Sequence, residues 1–252
     1  MALQRIGEML TADQMTYIRE KCALYASGAK PVFETDEDLR AKHIEQIQVR
    51  KVEIAKSQSE VGKRFESVTF DQIEVDSRNE AAVVAAYDVV NSNGKKGLGI
   101  HGSGGVGKSM LAAAIVNKLR ESGIAGVCIS ALTLMLKFRE KFDLDGSPSE
   151  LSLVRKLSSV PVLAIQDLGK EPFTAYTLQM FHAIMDARWE NNLPLIVTAN
   201  LDLRGIVQHY HAIPKGGDTM DPSTGPTMID RVRDMTSAPW VQITGLSRRG
   251  VA

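Results

Sequence analysis

Residues 99–115 read GIHGSGGVGKSMLAAAI, and within them Gly102, Ser103, Gly104, Gly105, Val106, Gly107, Lys108 and Ser109 follow a phosphate-loop pattern. The pattern is a glycine, four variable residues, then Gly-Lys-Ser. Glycines at these places let successive backbone N–H groups point into one concavity around phosphate oxygens, at the positive end of the helix that follows. Lys108 is then expected to reach the β- and γ-phosphates, and Ser109 to place its hydroxyl on Mg²⁺. A short apolar strand precedes the loop and a strong helical pattern follows it, which is the context the motif requires. The ligand read from these residues is a nucleoside triphosphate with its magnesium.

The second chemical stretch is VPVLAIQDLGKE, residues 160–171. A nucleotide hydrolase of this class ends an apolar strand with an acid that holds the magnesium water shell. A second acid next to it polarises the attacking water. Here Gln166 precedes a single Asp167. In the usual register Gln166 takes the metal position, acting through a metal-bound water without adding charge, and Asp167 takes the base position. In the other register Asp167 is the metal acid and Leu168 stands where the base belongs. Either way one acid is missing, so binding is expected with weak or partner-dependent hydrolysis. Further on, PLIVTAN ends in Thr198 and Asn200. A polar residue there can orient water near a γ-phosphate, although asparagine also ends strands through its preference for turns.

The elements around these residues alternate. LGI reads as a short strand and AGVCIS as a buried one, and PVLAIQD and PLIVTAN are apolar strands of the kind buried on both faces of a parallel sheet. Around them lie helical patterns: NEAAVVAAYDVVN at 79–91 before the first, then SMLAAAIVNKLRESG ending at Gly123, ALTLMLKFREKF, and TLQMFHAIMDARWENN with Leu178, Phe181, Ile184 and Met185 inward. Ser147, Pro148 and Glu150 supply a capping box for a helix running to about Ser158. This order specifies an α/β nucleotide-binding core with a parallel sheet covered by helices on both faces.

Residues 1–66 differ in texture. Met15, Ile18, Cys22 and Tyr25 recur at helical spacing, and a longer charged helix over 34–62 carries a thin stripe of Leu39, Ile44, Ile47, Val52 and Ile54. A helix this polar buries little against its own domain and lies on solvent or on a partner. The expected division is a helical module at 1–66 and a nucleotide domain at 67–252.

The 252 residues carry thirty basic and thirty acidic side chains, so bulk charge selects neither nucleic acid nor membrane, and any such contact must come from a local patch. Cys22 and Cys128 lack metal-ligand spacing and read as reduced thiols. No apolar run approaches the ~18 residues of a membrane span, and Glu8 interrupts what a signal peptide keeps apolar. A cytoplasmic protein is expected.

Five stretches in order, RFESVTF, GSGGVGKS, VLAIQDLGKE, PLIVTAN and IDRVRDM, resemble the DnaC/DnaI/IstB group of AAA+ ATPases over residues 64–249. The resemblance implies an AAA+ P-loop core that binds ATP or ADP with Mg²⁺. Residue by residue, Gly107, Lys108 and Ser109 fall on the phosphate and magnesium contacts, Asp167 on the second acid and Asn200 on the first sensor. Arg231 falls on the arginine finger, which acts in trans and implies a self-oligomer. Arg249, or its neighbour Arg248, falls on a second sensor, and Arg233 reads as a surface ion pair. Gln166 departs from the family's aspartate.

The family's helices after the second strand contact single-stranded DNA, which here implies Lys137, Arg139, Lys141 and Phe142. From the residues alone Phe138 is core, and Phe142 is open between core and base stacking. The D-R-x-R form of the last motif, with Trp240 following, resembles the helicase-loader branch. That branch implies a DnaB-type helicase held by the N-terminal module and ATP as an assembly and release switch. Two alternatives are a transposase-assisting ATPase that binds duplex DNA, and a nucleotide-dependent binding protein with no loader role.

Overall fold

The computed structural model describes residues 36–140, 150–171, 175–211, 224–236 and 240–248, with isolated helical positions between Thr16 and Ala26. The chain divides into two units, residues 1–47 and 48–252. In the first, the described positions around 16–26 are helical, and Cys22 is exposed. Met15, Ile18 and Tyr25 lie outside the described residues.

Helix α1 (Asp36–Gln58) runs through the division between the units. Ile44, Ile47, Val49 and Ile54 are exposed along it, so the thin apolar stripe stays largely unburied. Residues 48–58 of the helix group with the second unit. Ala55 is buried, and Gln48 Nε2 donates to Ser122 O at 3.3 Å.

The second unit is built on six parallel strands: β1 (Glu60–Val61), β2 (Leu98–Gly102), β3 (Gly126–Ser130), β4 (Val162–Leu168), β5 (Leu195–Ala199) and β6 (Val241–Ile243), in the order β1-β3-β4-β5-β2-β6. Eight helices are described in the chain. Besides α1 they are α2 (Glu80–Asn91), α3 (Lys108–Glu121), α4 (Ala131–Glu140), α5 (Glu150–Ser159), α6 (Ala175–Glu190), α7 (Leu203–His211) and α8 (Thr224–Met235). Helix α5 is described from Glu150, while Ser147 and Pro148, the expected cap and first helical residue, lie outside the described residues.

The near-continuous apolar strands bury both faces, and successive residues feed opposite cores. Val162, Ala164 and Ile196 join Leu111, Ala112 and Ile115 of α3 and Ala82 and Ala86 of α2. Leu163, Ile165 and Val197 join Phe138 of α4, Leu157 of α5 and Phe181 of α6. Leu178, Phe181, Ile184 and Met185 are all buried, as their spacing requires. No helix among the described residues is long and apolar enough to cross a membrane.

One feature of the second core was not legible in the sequence. Arg188 of α6 is fully buried, and its guanidinium donates to Leu157 O and Val160 O at 2.9 and 2.8 Å and to Pro194 O. Burial pushes the guanidinium down to about 9, so it stays charged at neutral pH. It gathers the carbonyls where α5 enters β4 and where the chain enters β5. Arg188→Met keeps most of the volume but strands those acceptors. It is expected to lower the unfolding free energy by about 3 kcal/mol, read from the denaturant midpoint.

Candidate functional site

Sheet order creates the site. Strand β2 lies between β5 and β6, so the glycine loop emerges beside the ends of both. Gly105 has φ 84° and Gly107 φ 103°, which only glycine adopts without strain. A Cβ on Gly105 would also stand 2.1 Å from Ser247 Oγ, so the loop packs directly against the chain after β6.

Lys108, at the start of α3, is 4% exposed. Its ammonium donates to Gly102 O and Ser103 O at 2.8 and 2.7 Å and to Asn200 Oδ1 at 3.1 Å. The loop lysine and the residue at the end of β5 therefore meet.

The end of β4 carries a bulge. Ile165 pairs with Val197 and Leu168 with Ala199, so β4 holds one residue more than β5 in that interval. Such an insertion redirects side chains. Gln166 turns inward: it is 6% exposed, and its Nε2 donates to Ser109 O at 3.1 Å and to Cys128 Sγ at 2.9 Å. Burial pushes the Cys128 thiol up to about 12, against the opposing effect of that bond, so the sulfur is a neutral partner. Asp167 takes φ 57° and faces the cavity. Its N–H donates to Thr198 Oγ1 at 3.1 Å, and Lys170 Nζ reaches its Oδ1 at 2.7 Å.

Loop, Lys108, Ser109 and Asp167 line one cavity of about 470 Å³. Its other wall comes from the segment after β1, including Arg64, Phe65, Val68, Ile73 and Asn79. Buried Asn117 of α3 fixes that wall by donating to Phe65 O and Val68 O, each at 2.8 Å. This wall offers apolar side chains beside the phosphate cradle, which suits a flat base.

Arg248 also lines the cavity; it reaches Glu74 O at 3.0 Å and Asp76 Oδ2 at 3.1 Å, and its N–H donates to Gly105 O. Arg249 lies outside the described residues, so of the two second-sensor candidates Arg248 is the one seen at the cavity. The glycines announced the loop and RFESVTF marked the start of the 64–79 wall, but no local signal showed that Asn117 would hold that wall against the loop. That hold depends on segments far apart in sequence.

A magnesium ion fits this donor set when phosphates accompany it. Mg²⁺ takes oxygen ligands and is usually held by one or two carboxylates, phosphates and waters. Ser109 offers a hydroxyl and Asp167 a carboxylate, while the amide nitrogen of Gln166 is committed elsewhere. Among the described residues no group of three His, Cys, Asp or Glu side chains forms a metal cage without nucleotide.

Arg231, on α8, is not part of the cavity wall. It pairs with Asp186, lies 3.1 Å from His182 Nε2 and stacks over Trp189 at 5.5 Å, all on α6. Burial and Arg231 together hold the His182 imidazole below its ordinary range, against Asp186. Arg233 pairs at the surface with Asp230 and Asp234.

On α4, Phe138 is fully buried, which gives it the core role. Lys137 pairs with Glu60 of β1, and Lys156 of α5 reaches the same carboxylate at 3.0 Å. Burial alone would raise Glu60, but the two ammonium groups bring it below the usual carboxylate range. The side chain of Arg139 and residues Lys141 and Phe142 lie outside the described residues.

The family described as IstB-like ATP binding protein matches residues 26–249. A protein named replicative helicase loader DnaC from Buchnera aphidicola subsp. Baizongia pistaciae is 27% identical over 202 residues, covering 75% of this chain and 82% of that one. The protein of the same name from Escherichia coli strain K12 is 25% identical over 226 residues, covering 84% and 86%. Among solved structures, one titled crystal structure of the DnaI aligns with TM-score 0.60 at 23% identity over 79% of this chain and 100% of its own. One titled crystal structure of the DnaC helicase loader aligns with TM-score 0.56 at 20% identity over 73% and 99%. These likenesses agree with the sheet order and the loop in assigning an AAA+ fold. The chain belongs to the IstB-like ATP-binding protein family, within the DnaC/DnaI/IstB group of AAA+ proteins.

Proposed function

We propose that the chain is a cytoplasmic, ATP-dependent loader of a DnaB-type replicative helicase onto single-stranded DNA. The observation that carries the nucleotide chemistry is that the glycine loop, Lys108 and Asp167 line one cavity, with the Lys108 ammonium also donating to Asn200 Oδ1. The loader role is supported by relatives of that name matched over most of their length. The module within 1–66 grips the helicase, and the nucleotide domain within 67–252 oligomerises and holds the strand. ATP favours the assembled state through its γ-phosphate, and loss of that phosphate reverses assembly. Because Lys137 already pairs with Glu60, Arg139, Lys141 and Phe142 carry more of the strand-binding role. Hydrolysis is slow because Gln166 brings an amide where the family has an acid.

Two measurements test this. The full chain is expected to co-purify with a hexameric DnaB-type helicase and to bind single-stranded oligonucleotide at least tenfold more tightly with ATP than with ADP. Preference for duplex would replace the reading by the transposase-assisting one; ATP affinity without oligomers, helicase or DNA would leave only a nucleotide-binding protein. Separately, Gln166→Asp is expected to raise turnover about tenfold, with ATP affinity changed far less. Vigorous wild-type hydrolysis without a partner would refute the role given to Gln166.

A further inference from the structure

The loop after β4 contains a buried acid with no assigned part in the chemistry above. Glu171 is 4% exposed, and its carboxylate accepts the N–H of Gly169 at 3.0 Å and of Lys170 at 3.0 Å. It also accepts the phenol O–H of Tyr210 at 2.6 Å. Tyr210 is itself 3% exposed and sits near the end of α7, the helix that follows Asn200. Burying a carboxylate is costly unless donors satisfy it, and here two amides and a phenol do so. Burial raises the Glu171 carboxyl above its ordinary range, and these donors pull it back.

What the carboxylate restrains is the backbone two and three residues beyond Asp167. That backbone is demanding. Asp167 has φ 57° and Gly169 φ 87°, and a Cβ on Gly169 would stand 2.8 Å from Ile206 Cδ1 of α7. A left-handed non-glycine residue persists only when its surroundings over-determine it. The surroundings here are Thr198 on the Asp167 N–H, the contact of Gly169 with Ile206, and the carboxylate of Glu171. Lys170 is held twice, its N–H by Glu171 and its ammonium by Asp167.

We propose that Glu171 and Tyr210 form a clamp that positions Asp167 relative to Asn200 by tying the loop after β4 to the helix after β5. They are positioning residues and touch no phosphate. The clamp explains why an acid is buried among neutral donors beside a nucleotide cavity: it holds the bulged conformation that turns Asp167 outward. It also makes Asp167 and Asn200 respond together to the same phosphate, because a shift of α7 moves the Asp167 loop. This inference rests on the reading that the cavity hydrolyses ATP.

The test compares wild type with Tyr210→Phe, Glu171→Gln and Asp167→Asn by amide hydrogen exchange, ATP affinity and single-turnover hydrolysis. Tyr210→Phe removes one hydroxyl and leaves the ring in the core. It is expected to speed exchange at Gly169 and Lys170 at least tenfold, leave the β5 amides unchanged, keep the ATP Kd within about twofold and lower turnover at least tenfold. Glu171→Gln retains an acceptor oxygen and is expected to fall between Tyr210→Phe and wild type in exchange. Unaltered exchange at Gly169 and Lys170, faster exchange that includes β5, or unaltered turnover would each overturn the clamp. Wild-type turnover in Asp167→Asn would instead overturn the role of Asp167, while the exchange data would still judge the clamp.

Discussion

Lys108→Met is expected to weaken ATP binding at least 100-fold, about 2.8 kcal/mol. The methionine keeps the aliphatic stem and removes the charge. In this structure the ammonium is buried and satisfied by Gly102 O, Ser103 O and Asn200 Oδ1, so the charge is held ready for phosphate oxygens. A cation in a water-poor cradle contributes more than the same charge on the surface, because competing solvent is excluded. Isothermal titration with ATP and ADP gives the answer directly. Asn200→Ala is the control: it removes one acceptor of the ammonium but no cation, so affinity should change a few-fold at most while turnover falls further. Comparable losses from both variants would mean that the site is disturbed as a whole, against the separate roles argued for the two residues.

The second large effect is expected at Arg231. If the proposed self-oligomer forms, Arg231→Ala should reduce its ATP turnover by about 10³, the lower end of what an arginine finger contributes. ATP affinity of the isolated subunit should stay unchanged, since Arg231 does not line its own cavity. Within one subunit the guanidinium is held by Asp186, His182 and Trp189 on α6, so reaching a neighbour's nucleotide requires it to give up or share these contacts. Asp186→Asn loosens that hold and is expected to raise turnover in the assembly.

Mixing decides whether the arginine acts in trans. Lys108→Met subunits carry an intact Arg231, and Arg231→Ala subunits carry an intact cradle. A mixture should therefore regain activity that neither variant has alone. No recovery on mixing, with oligomers still forming, would make Arg231 a structural tie between α8 and α6.

These residues differ in how far local sequence could identify them. The glycine loop was legible because its chemistry is contiguous: positive-φ glycines, a lysine and a hydroxyl in one short run, flanked by a strand and a helix. The alternating apolar segments likewise specified a parallel sheet with two covered faces, and the inward set of α6 followed from helical spacing. The directions in which Gln166 and Asp167 face were different. They turned on a bulge that exists only because β4 pairs with β5 while holding one extra residue, so Gln166 stays inside and Asp167 turns to the cavity. Lys137 was expected among the strand contacts through the resemblance, and nothing in its local sequence showed that Glu60 reaches it from the edge strand.

The sequence by itself determined the ligand class, the strand-and-helix order and the family likeness, because each is encoded within a turn or a strand of its own residues. Tertiary structure alone decided which distant groups meet: Lys108 with Asn200, Arg248 with the loop, Glu171 with Tyr210, and Arg188 with the carbonyls at the strand entries. The physical reason is strand order. Placing β2 between β5 and β6 brings the ends of segments remote in sequence within hydrogen-bond reach, and no local periodicity records which pairs those will be.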